Sequence, residues 1–245
     1  MVSPEHIDAV VFDMGGVFLV PNPVVISGIL RDGGLDVSID PALAADAHYA
    51  GIRGITELLA SQVVAEHDLD IWNHYDRESF GCVGLDGDEL DRAVAIRGAA
   101  RRDGSKVFKT WNHRLEANIA AFHRISETVP VAIVSNNDGT AINQCRDFGI
   151  CQLEPGGPLP HVPAIVDSTT VGIAKPDPGI FAPAIDALGT DRDRTLYVGD
   201  TVHADVLGAG RAGLPVVQLD PLDLHADHDH WRLPDLDALA AHLGA

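Results

Sequence analysis

Four short apolar runs, each ending at a polar side chain or a glycine–aspartate pair, constrain the fold of this 245-residue chain more than any other feature. They cover residues 9–12, 131–134, 195–198 and 214–219. Runs of this kind are typical of strands buried on both faces, as in parallel sheets. Helical patterns lie between them, over residues 116–128, 139–148, 179–188 and 204–212. The alternation predicts an α/β fold with a parallel sheet and helices on both of its sides.

The stretch between the first and second runs, residues 23–109, has a different pattern. Apolar side chains recur in it at helical spacing, as at Ile52, Ile55 and Leu59, and no long strand is predicted. Because this stretch is inserted between two strands, we expect it to form a helical cap over the end of the sheet. The predicted domains are therefore an α/β core, residues 1–22 and 110–245, and a helical cap domain, residues 23–109.

The net charge of −19, from 17 basic and 36 acidic side chains, excludes two classes of partner. A chain this acidic is repelled by nucleic acid and by anionic membrane surfaces. No segment approaches the roughly 18 apolar residues of a membrane span, and the first residues lack the basic region of a signal peptide. Three scattered cysteines are too few for a disulfide framework. We expect a cytoplasmic protein, whose oligomeric state the sequence does not specify.

Carboxylates follow the first and third apolar runs. Asp13 ends the first run, and Gly15 and Gly16 after it let the backbone turn sharply and approach a ligand closely. Asp200 ends the third run, and Asp205 falls in the first turn of the next predicted helix, so both carboxylates can face one point. Mg²⁺ is usually held by a few carboxylate oxygens together with waters and phosphate oxygens. The pattern predicts a magnesium site.

The second run and a later loop add an anion site and a fixed cation. Ser135 follows the second run, and the residues from Asn136 onward lead into a predicted helix whose N-terminal amides can bind an anion. Lys175 lies in a loop stiffened by Pro176 and Pro178. A carboxylate nucleophile, a hydroxyl with amides, a cation and a metal site together suit phosphoryl transfer, which depends on positioning and charge neutralisation.

These residues fall into four motifs along the chain: FDMGGV at 12–17, VSN at 134–136, KPD at 175–177 and GDTVHAD at 199–205. In this order they resemble the motifs of the haloacid dehalogenase (HAD) superfamily, over residues 5–22 and 110–245. The resemblance implies a Rossmann-like three-layer core, and the helical insertion resembles the C1-type cap of that superfamily.

The resemblance also implies a role for each motif residue. Asp13 would be the nucleophile that forms an aspartyl-phosphate, and its second oxygen would bind Mg²⁺. Asp200 and the backbone carbonyl of Gly15 would be further metal ligands. Asp205 would bind the metal or orient its waters.

The phosphate side of the site follows from the same resemblance. Ser135 and the amide of Asn136 would hold the phosphoryl oxygens, next to the backbone of Gly15 and Gly16. Lys175 would neutralise charge between the phosphate and the nucleophile. The expected activity is Mg²⁺-dependent hydrolysis of the phosphomonoester of a small phosphorylated metabolite.

One position departs from the phosphatase pattern of the superfamily. Phosphatases there usually carry a second Asp two residues after the nucleophile, as general acid and base, and this chain has Gly15. A missing general acid costs roughly 10²–10⁴ in rate where the leaving group needs a proton. An alternative is therefore a catalytically weak protein that binds a phosphorylated ligand or a protein partner. A 2-haloacid dehalogenase fits less well, because those enzymes use no metal and usually have an aromatic residue at this position.

The predicted cap carries aromatic and arginine side chains that could contact a substrate. We expect its aromatic residues to form mostly the cap's own core, and Arg53 and Arg77, candidates for a second anion contact, to lie at the surface. The aromatic residues are Tyr49, Trp72, Tyr75, Phe80 and Trp111.

Overall fold

The computed structural model describes residues 6–61, 69–103 and 110–245. The chain divides into two compact units, Met1–Phe18 together with Arg114–Ala245, and Leu19–His113. The second unit contains the whole of the insertion predicted at 23–109, of which residues 62–68 and 104–109 lie outside the described part. Among the described residues, no helix combines the length and the apolar character needed to cross a membrane.

The strands in chain order are β1 (Ala9–Phe12), β2 (Leu19–Pro21), β3 (Trp111–Arg114), β4 (Val131–Ser135), β5 (Ile165–Asp167), β6 (Thr195–Gly199), β7 (Val216–Leu219) and β8 (Trp231–Leu233). The α-helices are α1 (Pro23–Asp32), α2 (Ala44–Ser61), α3 (Leu69–Cys82), α4 (Gly87–Arg102), α5 (Glu116–Thr128), α6 (Ala141–Asp147), α7 (Ser168–Val171), α8 (Ala182–Leu188), α9 (Gly208–Arg211) and α10 (Leu236–Leu243). Short 3₁₀ turns cover Pro41–Leu43, Pro178–Phe181 and Arg192–Arg194, and Val202–Leu207 forms a π-helical turn.

The first unit is built on a six-stranded sheet in the order β5-β4-β1-β6-β7-β8, and its described pairings are parallel. The four predicted strands are β1, β4, β6 and β7, so the α/β prediction is confirmed. In register, Val10 of β1 lies beside Val131 of β4 on one side and Leu196 of β6 on the other. Because parallel strands end at one edge, the residues that follow β1, β4 and β6 meet there.

Helices cover both faces of this sheet. On one face, Tyr197 packs edge-on against Phe181, with ring centroids 4.9 Å apart. On the other face, the rings of Phe12, Phe18 and Phe122 lie 5.1–5.8 Å from one another, and Phe122 belongs to α5. Apolar layers on both sides explain why each predicted strand is a continuous apolar run, and they complete the three-layer core.

The second unit is helical, as predicted, with α1 to α4 accompanied by the short β2–β3 pair. Its core contains Leu30, Phe80 and Ala93. Tyr49 and Tyr75 are also buried, which confirms the prediction for these cap aromatics. Arg53 and Arg77 pair with the nearby acidic side chains of Glu57 and Asp91.

Candidate active site

Asp13 is the first residue after β1, and the neighbouring strand fixes its backbone. Its N–H donates a hydrogen bond of 2.8 Å to the carbonyl of Val198 on β6. The side chain is buried, and its Oδ1 lies 2.9 Å from Nζ of Lys175. The first strand of the fold therefore places a carboxylate in contact with a lysine that lies more than 160 positions later in the chain.

Lys175 is the fixed cation of this edge of the sheet. Besides Asp13, its Nζ lies 2.7 Å from Oδ1 of Asp205 and 2.9 Å from the hydroxyl of Tyr197. Burial opposes the charge of the ammonium, but Asp13 and Asp205 outweigh it and raise the pKa of Lys175 above its usual value. Lys175 is therefore charged, and its ammonium group contacts three side chains.

Three carboxylates meet at this point. Ligand oxygens of Asp13, Asp200 and Asp205, all buried, lie within 4.8 Å of one another. Burial raises the pKa of Asp13 to about 7, with Asp205 and Asp200 adding to the effect and Lys175 opposing it. Lys175 supplies one positive charge against three carboxylates. This excess of negative charge on hard oxygen donors fits a divalent cation such as Mg²⁺.

Two glycines make room for the carboxylates. Gly16 has φ +69°, and a Cβ there would lie 2.2 Å from Cγ of Asp200. At Gly199, a Cβ would lie 2.3 Å from Cγ of Asp205. Both distances are far below van der Waals contact, so any side chain at either position displaces a carboxylate of the site.

Asp205 uses both of its oxygens within the chain. Oδ1 accepts hydrogen bonds from Lys175 and from Tyr197, at 2.7 and 2.9 Å. Oδ2 accepts from the backbone N–H of Thr201 at 2.9 Å and from its hydroxyl at 2.6 Å. Lys175 and these hydrogen bonds hold the pKa of Asp205 below its usual range despite its burial. The carboxylate anchors the lysine.

Ser135 and Asn136 lie beside this cluster, at the end of β4. Ser135 is the last residue of the strand and is buried. The side-chain amide of Asn136 donates to the carbonyl of Lys175 at 3.0 Å, and its oxygen accepts the Lys175 N–H at 2.8 Å. The Asn136 side chain thus clamps the lysine loop, a contact that the sequence did not reveal.

Comparison with known proteins identifies the group to which this arrangement belongs. The sequence model of haloacid dehalogenase-like hydrolases matches residues 7–213. The chain belongs to this family of hydrolases. The match includes each of the four motifs, so the resemblance found in the sequence is confirmed.

Individual relatives of this HAD-like hydrolase match shorter stretches. The pyrimidine 5'-nucleotidase YjjG of Escherichia coli (strain K12) is 33% identical over an alignment of 135 residues that covers 46% of this chain and 57% of that protein. The phosphoserine phosphatase of Thermus thermophilus is 39% identical over 80 residues, 31% of this chain and 32% of that protein. The chain therefore matches about half or less of the length of these relatives.

Solved structures share the fold of this HAD-like hydrolase over its full length. The putative HAD-hydrolase YfnB of Bacillus subtilis, in a magnesium-bound crystal form, is 16% identical with a TM-score of 0.59, covering 98% of this chain and 100% of that one. A 2-haloacid dehalogenase of Pseudomonas syringae pv. Tomato DC3000 is 19% identical with a TM-score of 0.53, covering 97% and 98%. The same fold therefore occurs in a magnesium-bound hydrolase and in a haloacid dehalogenase. The fold does not specify the reaction, which depends on the residues of the site.

Sequence reasoning missed two residues of the HAD-like site, Tyr197 and Asp167. Tyr197 lies in the middle of β6, and in the sequence it resembles any other core residue of a strand. In the structure its hydroxyl accepts a hydrogen bond from Lys175 and donates one to Asp205. Asp167 ends β5 and accepts hydrogen bonds of 2.9–3.1 Å from the backbone N–H groups of Gly139, Ala141 and Thr169. It thereby fixes the loop after Ser135. A polar group within or at the end of a buried strand is the signal that both share.

Proposed function

We propose that this HAD-like hydrolase is a Mg²⁺-dependent phosphomonoester hydrolase of a small phosphorylated metabolite, acting through an aspartyl-phosphate on Asp13. The observation that carries the proposal is the buried cluster of three carboxylates around one fixed lysine, with Ser135 on the adjacent strand. The relatives named as nucleotidase and phosphoserine phosphatase support the same class of reaction.

In this proposal Asp13, Asp200 and the backbone carbonyl of Gly15 would hold Mg²⁺. Bound there, Mg²⁺ supplies positive charge against the phosphoryl oxygens. Asp205, whose two oxygens already accept four hydrogen bonds, contributes through Lys175 instead of as a ligand. This role differs from both of those that the resemblance implied for Asp205, as a metal ligand or as a residue that orients the waters of the metal.

The residues of the chain perform the transfer in two steps. An oxygen of Asp13 forms a bond to phosphorus while the bond from phosphorus to the ester oxygen breaks, and the leaving ester oxygen takes a proton from solvent water. Water then attacks the aspartyl-phosphate and releases inorganic phosphate and free Asp13. Throughout, Lys175 neutralises charge on Asp13 and the phosphoryl group, and Ser135 with the Asn136 amide donates hydrogen bonds to the phosphoryl oxygens.

A screen of metabolite phosphates with the purified chain tests the proposal. We expect phosphate release from at least one small phosphomonoester in the presence of Mg²⁺ and none after EDTA treatment. The same plate should contain 2-haloacids with EDTA. Halide release there, with no phosphate release from any ester, would replace the proposal with dehalogenation.

Mg²⁺ binding should release a proton below neutral pH. The raised pKa of Asp13, about 7 without metal, means that the folded chain holds a proton there at pH 6, and a ligand must lose it. The affinity for Mg²⁺ is therefore expected to fall up to about tenfold for each pH unit below about 7. Calorimetry at pH 6 in two buffers of different ionisation enthalpy counts the released protons.

Two variants control this measurement. Asp13→Asn should abolish the proton release, whereas Asp186→Asn, an exposed carboxylate on α8, should retain it. A Mg²⁺ affinity that stays constant between pH 5.5 and 7.5 would contradict the assignment of Asp13 as a ligand.

The absence of a carboxylate at Gly15 favours a second candidate function, in which this member of the family binds a phosphorylated ligand with little turnover. Gly15→Asp separates the two, because it restores the carboxylate that phosphatases of the superfamily usually have. Gly15 does not have a positive φ, so the substitution meets no backbone strain of the kind expected at Gly16. We expect a rise of about 10²-fold in kcat on esters with poor leaving groups. Gly15→Asn is the size-matched control without an acid, and equal rates for both variants would favour the binding role.

Tyr197→Phe should lower kcat about tenfold with little change in KM. The variant removes a hydroxyl that bonds two charged groups and keeps the ring packed against Phe181, and such hydrogen bonds contribute about 1.5–3 kcal/mol. Steady-state kinetics on the best substrate measures the effect. Tyr49→Phe, the same change in the helical unit, should leave both constants unchanged. A kcat of Tyr197→Phe equal to that of the wild type would show that Lys175 is positioned without the hydroxyl.

A further inference from the structure

The helical unit contains a cavity that the proposed reaction does not use. It has a volume of about 30 Å³. Its polar lining residues are His48, Tyr75, Asp76, Ser79 and Arg97, and the remaining wall is made of apolar side chains and prolines. Each lining residue lies between positions 21 and 97, within the unit Leu19–His113. The cavity is therefore a property of that unit alone.

Two buried arginines compete for one buried carboxylate beside this cavity. Arg97, Arg101 and Asp76 are 5%, 8% and 3% exposed. Arg101 forms the hydrogen-bonded ion pair with this carboxylate, since its Nη1 lies 2.5 Å from Oδ2 of Asp76. Its Nη2 donates a hydrogen bond to the side-chain oxygen of Asn73 at 2.8 Å. Nε of Arg97 lies 3.8 Å from Oδ1 of Asp76, which is too long for a hydrogen bond. Among these three side chains, one positive charge is left over.

The surplus charge comes with polar atoms that have no partner among the described residues. Nε of Arg97 and Oγ of Ser79 are both buried, and neither makes a hydrogen bond. Burial lowers the pKa of Arg97, Asp76 offsets only part of that effect, and the charge of Arg101 adds to it. Buried charges in folded proteins are normally paired, and buried donors normally have acceptors. Among the described residues Nε of Arg97 therefore has no acceptor, and a small negative group would supply one.

The size and chemistry of the cavity define that group. A single water molecule needs roughly 10–15 Å³, so the cavity has room for more than one atom of that size. A halide ion or the two oxygens of a carboxylate therefore fit. We propose that the cavity binds a small monovalent anion, a halide or the carboxylate of a small acid, between Arg97 and Ser79. This proposal does not depend on the phosphatase activity.

Thermal unfolding of the full chain in different sodium salts tests the proposal. Chloride, bromide and formate are the probes, and gluconate, a much bulkier anion, keeps the ionic strength constant. We expect each probe to raise Tm saturably, by about 3–6 °C at ten times its dissociation constant. Halide and carboxylate should compete, so that saturating formate removes the response to chloride. Equal Tm values in all the salts would overturn the proposal.

Matched arginine variants assign the effect to the cavity. Arg97→Met keeps an apolar stem and removes the surplus charge, so its Tm should no longer respond to chloride. Arg77→Met, on the same unit in an exposed pair with Asp91, should respond like the wild type. A response of Arg97→Met equal to that of the wild type would overturn the proposal.

A direct observation covers the case in which Arg97→Met does not fold. Crystals of the wild-type chain soaked in sodium bromide should show an anomalous peak within hydrogen-bonding distance of Arg97 Nε and Ser79 Oγ. Ser79→Ala, which removes one buried hydroxyl of α3, should weaken chloride binding about tenfold. The absence of a peak at this position in bromide-soaked crystals would overturn the proposal.

Discussion

Asp13→Asn is expected to reduce phosphate release by at least about 10⁴-fold, the scale of loss when a covalent nucleophile is removed. An amide has nearly the same size as the carboxylate, but it does not attack phosphorus. The loss should appear in kcat at saturating substrate and Mg²⁺. Single-turnover experiments with the wild type should in addition trap phosphate on the protein, and Asp13→Asn should trap none.

Unfolding measurements separate this loss from damage to the fold. Asp13 is buried against Asp200 and Asp205, so a neutral amide relieves repulsion among them. The metal-free variant should therefore be at least as stable to urea at pH 8 as the metal-free wild type. Full activity in Asp13→Asn would remove Asp13 from the reaction, and a folded variant with no activity on any ester supports its assignment.

Lys175→Met is expected to affect both activity and stability. Without the ammonium, three buried carboxylates face one another, and breaking a buried ion pair on one side costs about 3–5 kcal/mol. The loss of one preorganised charge at the reacting group should lower kcat by about 10²–10³-fold. Urea unfolding without metal gives the first value, and kinetics with Mg²⁺ gives the second.

The charge of the lysine can be tested apart from its bulk. Because Mg²⁺ would bring positive charge to the same carboxylates, it should stabilise Lys175→Met by more than it stabilises the wild type. Arg194→Met breaks an exposed pair with Asp8 and should cost no more than about 1 kcal/mol. If Lys175→Met unfolds at the same urea concentration as Arg194→Met, the buried lysine does not hold the carboxylates together.

Local sequence predicted some elements of the core better than others. The runs that became β1, β4, β6 and β7 are continuous and apolar because both of their faces are covered. β5 has only three residues, Ile165–Asp167, and so gave no run long enough to recognise. The predicted helix 204–212 is in fact a π-helical turn, Val202–Leu207, followed by α9. The departure surrounds Asp205, whose contacts with Thr201 close the turn, and such turns occur often at functional sites.

The sequence by itself determined that carboxylates, a hydroxyl and a lysine follow strands of a parallel sheet, since strand ends are visible in local apolar patterns. Only the tertiary structure decided which of these groups touch. In the structure both oxygens of Asp205 accept hydrogen bonds, from Lys175, Tyr197 and Thr201. Arg97 lies beside Asp76, whose carboxylate is already bound by Arg101. The physical reason is distance. A hydrogen bond is decided within a few tenths of an ångström, by packing between segments that are far apart in the chain.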